Sequence, residues 1–271
     1  MEKKYAFLLM LVAIFFCYFI LKKFRFFDVI QSLFISSRRK EELNNFFDKY
    51  FYYYHKLPEK LKNRFLYRVY DLLKYINITG RQNFKVTDEV RYFVVAAQVQ
   101  LTFGYKKYFL SHFRKVFIYP GSYLNKMTGN MHDGEVNTRG LIVLSWKKFL
   151  KGYAIPDDKI NLGLHEMAHA LMHTIIHSDK HEAGLDYFLN KIIKVSQEEI
   201  KKIKTNISHF FRDYAGTDVY EFFAVAIEHF FEDPKGLKKE IPSLYKYLTK
   251  LLKQDPANNI FVMKFLDVYR Y

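Results

Sequence analysis

The stretch Asn161-Leu-Gly-Leu-His-Glu-Met-Ala-His-Ala-Leu171 carries the most informative pattern of this chain. His165 and His169 are four residues apart, so on a helix their imidazoles project from one face, about one turn apart. Both can then bind one Zn²⁺ ion, which takes histidine nitrogens at about 2.0–2.1 Å. Glu166 can reach a water molecule beside the metal rather than the metal itself. This HExxH spacing therefore predicts a catalytic zinc site with its general base attached.

The residues around the two histidines predict a buried helix. They are apolar residues and good helix formers, without a proline: Leu162, Leu164, Met167, Ala168, Ala170 and Leu171. A helix on the protein surface would carry a polar face as well. The competing interpretation is a buried helix whose two histidines are satisfied by hydrogen bonds alone, because unpaired buried polar groups are costly.

Composition sets limits on the function. The chain has 271 residues, half of them hydrophobic, which is enough for one sizeable core or for one core with a small appendage. Its formal charge of +15 suits an anionic partner. No helix-turn-helix, finger or RNP-like pattern is present, so a nucleic acid partner is not expected. Cys17 is the single cysteine, which excludes an intrachain disulfide and fits a reducing compartment.

An unbroken apolar run, Tyr5–Leu21, predicts an N-terminal transmembrane helix at the low end of the length that spans a bilayer. A small-x-small cleavage site is missing after the run, which favours an uncleaved anchor over a signal peptide. Two lysines precede the run and six basic residues follow it by position 40. Because the more positive flank stays cytoplasmic, the sequence predicts a single-pass membrane protein whose body faces the cytosol. The basic flank also suits an anionic inner leaflet.

The polar stretch Ser36–Lys40 is the candidate domain boundary. It separates a membrane anchor with a basic juxtamembrane segment, residues 1–40, from one domain at 41–271. Patterns with a helical period dominate that domain. The clearest strand is Gly140–Trp146, and a second ends in the turn at Gly121. The predicted fold class is α+β, mainly helical with a small mixed sheet.

Three further helix predictions bear on the site. The helix with the two histidines is expected to start at Pro156-Asp157-Asp158. Ranges 181–195 and 197–211 are predicted as separate helices, because Ser196 with Glu199 forms a capping box. Thr217-Asp218 is expected to cap a helix that runs through Phe231.

A catalytic zinc needs a third protein ligand and one open position. The candidates are His173, His177, Glu182, Glu221, Glu228 and His229. Glu221 and Glu228 share a face of a strongly apolar helix, where a carboxylate is costly unless it is paired or metal-bound. A glutamate stabilised by the positive end of a helix dipole is the alternative explanation. This reasoning does not separate Glu221 from Glu228.

Three segments resemble the MtfA family of bacterial zinc peptidases, which is related to the anthrax lethal factor catalytic domain: Asn161–Leu171, Tyr214–Val225 and Glu228–Pro234. Further matches follow the family pattern in order, namely Thr87–Arg91, Ala96–Gln98, Tyr119–Gly121, Gly140–Trp146 and Gln254–Pro256. The resemblance covers roughly residues 55–256. It implies a zincin-like metallopeptidase domain, and it places the predicted anchor in a bacterial inner membrane.

The resemblance also implies roles for individual residues. One zinc ion would be held by His165, His169 and Glu221, and Tyr214 would assist the transition state. After the second histidine the family carries a Lys-Leu-Asp-like continuation, where this chain has Ala170-Leu-Met. An acidic side chain that supports the metal ligands is then missing. Phe222 replaces a residue that is usually small.

The expected function is a membrane-anchored zinc peptidase that acts on a peptide or protein substrate. Glu166 would take a proton from water and deliver it to the leaving amine. The Gly140–Trp146 strand is expected to be the sheet edge on which an extended peptide lies. The alternative is a non-catalytic zinc-containing binding module that docks a regulatory protein or an anionic membrane surface.

Overall fold

The computed structural model describes residues 35–263, apart from 127, 178–180 and 208, together with the isolated positions 5, 10 and 12. The predicted anchor, Tyr5–Leu21, therefore lies outside the described residues except at three positions. Across the described residues, no helix combines the length and the apolar composition that crossing a membrane requires.

Helices form most of the described structure, as the helical periodicity predicts. They are α1 Ser37–Tyr50, α2 Tyr52–His55, α3 Glu59–Leu72, α4 Asp88–Thr102, α5 Trp146–Ala154, α6 Leu162–His177, α7 Leu185–Lys204, α8 Val219–Glu232, α9 Pro234–Glu240 and α10 Pro242–Leu252. Two short 3₁₀ helices cover Asp213–Gly216 and Pro256–Asn258.

The strands form one small mixed sheet and a separate hairpin. They are β1 Asn77–Gly80, β2 Lys115–Tyr119, β3 Tyr123–Leu124, β4 Met131–His132, β5 Gly134–Asn137 and β6 Leu141–Ser145. The sheet order is β1-β2-β6-β5, with β1, β2 and β6 parallel and β5 antiparallel to β6. The hairpin pairs β3 with β4. The prediction of a mainly helical α+β fold with a small mixed sheet is confirmed.

The prediction that the Gly140–Trp146 strand forms the edge of the sheet is wrong. Gly140–Trp146 contains β6, which is internal because β2 pairs on one side and β5 on the other. The edge next to β6 is β5, whose residues Gly-Glu-Val-Asn alternate too weakly to stand out in the sequence. An edge strand needs no apolar run, because only one of its sides is covered by a neighbouring strand.

The predicted break between two helices at Ser196 is also wrong, because α7 runs through it without interruption. The Ser196 hydroxyl donates to the carbonyl oxygen of Ile193, 2.8 Å away, and so caps no helix. The buried positions continue at helical spacing on both sides of it: Leu185, Phe188, Leu189, Ile192, Ser196, Glu199, Ile200 and Ile203. An apolar stripe of this length overrides a local capping pattern.

The helix α6 lies inside the protein and contacts α4, α7 and α8 as well as β5 and β6. Most of its side chains are buried, as its apolar sequence predicts. Its neighbour α4 contributes small, fully buried residues, Ala96 and Ala97, which allow close helix packing. The two histidines are therefore held on a rigid element, between the edge strand and α8.

Candidate metal centre

The helix α6 begins at Leu162, later than the start at Pro156 that the sequence predicts. Lys159 has a positive φ of 60°, which interrupts any helix that starts earlier. The Asn161 side chain accepts a hydrogen bond from the Leu164 backbone N–H at 3.1 Å, so Asn161 caps α6. One turn later, the Nε2 atoms of His165 and His169 lie 3.2 Å apart. The predicted convergence of the two imidazoles is confirmed.

The third member of the cluster comes from the first turn of α8. Asp218 caps this helix as predicted, since its Oδ1 accepts from the backbone N–H groups of Tyr220 and Glu221. The Glu221 carboxylate reaches across to α6. Its Oε2 lies 3.0 Å from His165 Nε2, and its Oε1 lies 3.6 Å from His169 Nε2. Within the described ranges, this is the one group of three such side chains whose donor atoms lie within 4.8 Å of one another.

The spacing of these donor atoms fits a zinc ion. Four ligands at 2.0–2.1 Å in a tetrahedron lie about 3.4 Å from one another. The three residues approach one another to 3.0, 3.2 and 3.6 Å, with Oε2 of Glu221 nearer His165 and its Oε1 nearer His169. Two imidazoles with one carboxylate are also a ligand set of catalytic zinc sites that leave a fourth position open. The residues present therefore fit the group that the sequence predicts.

The other candidates for the third ligand have different partners. The His173 ring stacks on His112, with 5.1 Å between centroids, and it also packs against His177. Glu182 accepts hydrogen bonds from the Lys107 backbone N–H and from Lys253. The Nδ1 of His229 bonds to the Val225 carbonyl at 3.0 Å. None of these side chains joins the cluster of three.

Glu228 supports the cluster from behind. Its Oε1 lies 2.5 Å from His165 Nδ1, while Glu221 lies at the Nε2 side of the same ring. The sequence did not show which of these two glutamates is the third ligand, because they share a face of α8. They are two helical turns apart, and this distance puts them on opposite sides of the His165 imidazole. The expectation of a missing acidic partner is also wrong, since α8 supplies it rather than the segment after His169. A carboxylate on the non-ligating nitrogen is the common arrangement at histidine zinc sites.

Glu228 is held in turn by Arg212. The guanidinium donates two hydrogen bonds to this carboxylate, from Nη1 at 2.7 Å and from Nη2 at 2.8 Å. Nη1 also donates to the Lys159 carbonyl at 2.7 Å. The Asn161 backbone N–H donates to Glu228 Oε2 at 3.3 Å. Sequence reasoning missed Arg212 because nothing in its local pattern distinguishes it from the other basic residues.

The cluster favours a positive charge. Burial alone would lower the pKa of His165, but hydrogen bonds to Glu221 and Glu228 outweigh burial and raise its pKa to about 10. Burial would raise the pKa of Glu221, but hydrogen bonds from His165 and His169 hold it well below its usual value. The Glu221 and Glu228 carboxylates thus stabilise positive charge at the imidazoles, and this suits a cation.

Glu166 lies next to His165 but is not one of the three residues of the cluster. The side chain is buried, and its Oε2 has no hydrogen-bond partner among the described residues. Burial raises the pKa of this carboxyl group. Gly134 of β5 leaves room for it, because a Cβ there would come within 2.3 Å of Glu166 Oε1. A raised pKa makes a carboxyl group a better proton acceptor than an ordinary glutamate.

Tyr214 lies in the 3₁₀ helix before α8, with its ring centroid 5.9 Å from that of His165. The residue is 49% exposed and lies at the surface of the site. Burial and the Glu221 carboxylate raise the pKa of Tyr214, which keeps the hydroxyl protonated as a donor. The structure thus brings Tyr214 near the two histidines and Glu221.

Two adjoining cavities open onto these side chains. The larger, of about 640 Å³, lies between β4, α5 and the start of α6. The smaller, of about 390 Å³, runs along β5 to the first turn of α8 and includes His169 and Glu221 in its wall. His165, Glu166 and Tyr214 line both cavities. Because the two cavities share these residues, they form one cleft beside the cluster.

Comparison with known protein families assigns this chain to a class of metal-dependent peptidases. The family model described as glucose-regulated metallo-peptidase M90 matches residues 31–253. The match covers most of the chain, so the chain belongs to this metallopeptidase family, the MtfA family that its sequence resembles. Membership implies a divalent metal, typically zinc, and peptide or protein substrates. No curated protein matches the chain.

Proposed function

We propose that this protein is a zinc-dependent peptidase in which His165, His169 and Glu221 hold the metal. The observation that carries the proposal is the convergence of these three donor side chains, from α6 and α8, beside a buried glutamate at the wall of a cleft. Membership of a metallopeptidase family supports the same conclusion. Zinc bound here would supply Lewis-acid chemistry, making water a better nucleophile and polarising the scissile carbonyl.

Glu166 acts as the general base. It takes a proton from the attacking water and later delivers that proton to the leaving amine. Its raised pKa matches this double use, because a base that must also act as an acid works best when its pKa lies near the working pH. Its position one residue after a ligand keeps it at the metal without making it a ligand.

Tyr214 donates a hydrogen bond to the oxygen that becomes negative in the transition state. A preorganised donor at such an oxygen stabilises the transition state more than the ground state. Tyr214 is half exposed and lines the same cavity as His165 and Glu166. Its rigid attachment through the 3₁₀ helix reduces the reorganisation that the reaction requires.

The edge strand β5 positions the substrate. Its outer edge is unpaired by any described strand, so an extended peptide can add to the sheet through main-chain hydrogen bonds. Gly134 at the start of β5 touches the Glu166 side chain, which places a peptide on this edge next to the general base. The substrate is therefore a peptide in extended conformation that lies along β5, whereas the sequence predicted that it lies along the Gly140–Trp146 strand.

The experiment that tests the function compares wild-type protein with Glu166→Gln. Both proteins should bind one zinc ion per chain by mass spectrometry, and only the wild type should cleave a peptide library. A chelator should abolish the wild-type cleavage. Equal turnover by the variant would refute the role of Glu166. Zinc in both proteins with cleavage by neither would favour the alternative, a non-catalytic module that docks a regulatory protein or a membrane surface.

We further propose that residues 5–21 anchor the enzyme in a membrane, with the peptidase domain, residues 41–271, in the cytosol. The support is the apolar run and the basic residues that follow it. Cell fractionation tests this directly, because the full chain should stay in the membrane pellet after alkaline extraction. A chain that starts at residue 35 should move to the supernatant. Release of the full chain by alkaline extraction would contradict the anchor.

A further inference from the structure

We propose that Arg212 is a positioning residue that fixes Glu228 against His165 and thereby strengthens zinc binding. This inference rests on the proposed metal site and concerns a residue outside the ligand set. Arg212 precedes the 3₁₀ helix that carries Tyr214 and points its guanidinium towards the buried end of the site.

Arg212 and Glu228 form a close ion pair. Both oxygens of the carboxylate accept from the guanidinium, at 2.7 and 2.8 Å, which is the bidentate arrangement that fixes the carboxylate plane. Glu228 is 1% exposed on an apolar face of α8. A carboxylate buried there without its cation would carry a large desolvation cost. The pair therefore holds Glu228 both charged and oriented.

The carboxylate that Arg212 fixes contacts the His165 ring. Oε1 of Glu228 accepts from Arg212 Nη2 and lies 2.5 Å from His165 Nδ1. With the ring proton on Nδ1 donated to this oxygen, the lone pair of Nε2 points to the side of Glu221 and His169. Without Arg212, the carboxylate could rotate about its last side-chain bond and leave the ring free to turn. The guanidinium thus acts on zinc through Glu228.

Arg212 also joins three separate parts of the chain. Besides Glu228 in α8, it binds the Lys159 carbonyl in the segment before α6, and its guanidinium carbon lies 5.9 Å from the Tyr214 ring centroid. Asn161, in that same segment, donates its backbone N–H to Glu228. One side chain therefore sets the distance between the start of α6 and the buried end of α8, the two helices that supply the donor atoms.

A simple charge effect predicts the opposite sign. A guanidinium near the metal repels a divalent cation, so removing it would tighten zinc binding if charge alone mattered. Positioning predicts weaker binding, because the support of a ligand is lost. The direction of the change in zinc affinity therefore separates the two explanations.

The experiment measures the zinc dissociation constant of the full-length protein by competition with a chromophoric chelator. Arg212→Met should weaken zinc binding about tenfold, at the lower end of the effect of losing such support. The control is Arg114→Met, which removes an equal charge from an exposed arginine that donates to the Ser111 carbonyl. It should leave zinc affinity unchanged. Arg212→Lys keeps the positive charge but loses the bidentate hydrogen-bond geometry, so this variant should bind zinc more weakly than the wild type does.

A double-mutant cycle tests whether Arg212 acts through its partner. Glu228→Gln should weaken zinc binding by about 10- to 100-fold, and adding Arg212→Met should cause no further loss. Independent, multiplicative losses would overturn the proposal, as would an Arg212→Met protein that binds zinc as tightly as wild type or more tightly. Thermal melting of the metal-free proteins checks folding. If Arg212→Met does not fold, Arg212→Lys takes its place in the cycle with the same expected outcomes.

The wild type and His169→Ala separate this inference from the proposed function. If the wild type binds no zinc, or His169→Ala binds it equally well, the metal site itself is wrong. If the wild type binds zinc, His169→Ala loses it and Arg212→Met matches Arg114→Met, only the role of Arg212 is wrong.

Discussion

Gly134 in the edge strand lies against Glu166, the proposed general base, and this contact gives the sharpest prediction. A Cβ at position 134 would lie 2.3 Å from Glu166 Oε1, 2.7 Å from its Cδ and 2.8 Å from its Cγ. Ordinary contacts of this kind begin at 3.4 Å. The substitution Gly134→Ala therefore forces the Glu166 carboxylate to move by about 1 Å. A misplacement of that size at a catalytic group costs on the order of 10²-fold in rate.

The stability of the fold should change little. The atoms that must move belong to the flexible Glu166 side chain at the wall of the cleft, rather than to the backbone. Zinc binding should also persist, because Glu166 lies beside the three donor side chains and is not one of them. We expect kcat to fall about 100-fold with a change in unfolding free energy below about 1 kcal/mol.

The matched control is Gly121→Ala, because a Cβ at Gly121 has no atom within 4 Å. Both variants replace a glycine by alanine in the described part of the chain, and only one of them meets Glu166. The assay is steady-state cleavage of a peptide found in a library digest, with zinc content and urea unfolding measured on the same samples. If Gly134→Ala cleaves as fast as Gly121→Ala, the carboxylate is not needed where the structure places it, and its assignment as the base fails.

Three further predictions concern other parts of the site. Glu166→Ala should keep stoichiometric zinc and lose peptidase activity by about 10²- to 10⁴-fold, since general base catalysis contributes that much; loss of the zinc instead would show a structural role. Tyr214→Phe should lower kcat by about 10²-fold with little change in KM, as expected for a donor that acts in the transition state; a change confined to KM would assign it to substrate binding. Burial raises the pKa of Glu232 from 4.5 to about 7, so the folded state binds this proton more tightly than the unfolded state and stability falls as the pH rises from about 4.5 to 7. Glu232→Gln keeps the acceptor for Asn161 and removes this cost, so it should stabilise the protein by up to about 3 kcal/mol at pH 8 and by little at pH 4.5 in urea unfolding. If the unfolding free energies of wild type and variant changed in parallel with pH, the raised pKa of Glu232 would be contradicted.

The helix with the two histidines was predictable because its information is local. A spacing of four residues is close to one helical turn, so His165 and His169 lie on the same face of any helix, and the surrounding apolar residues require that helix to be buried. The same holds for the cap of α8, since Asp218 bonds to backbone N–H groups two and three residues away. Local spacing and capping chemistry therefore predict the core of the site without knowledge of the fold.

The errors arose where a distant contact decides the outcome. Ser196 fits a capping box, but the apolar stripe of α7 packs against α8 and α10 and keeps the helix continuous. The β6 sequence shows a strand, while its place between β2 and β5 depends on chain segments that pair from both sides. Periodicity predicts that a residue lies on a face or in a strand, but not which neighbour covers it.

Taken alone, the sequence determines the pairing of His165 with His169 on one helix face, the place of Glu166 beside them, the family and a mainly helical fold with a small sheet. Tertiary structure decides that Glu221 approaches Nε2 of His165 while Glu228 approaches Nδ1 of the same ring. It also decides that Arg212 donates hydrogen bonds to Glu228. It also decides that β5 rather than β6 is the edge of the sheet beside Glu166. The physical reason is that helix spacing acts within one turn, whereas these contacts join residues 16 to 63 positions apart, whose meeting depends on how whole helices and strands pack.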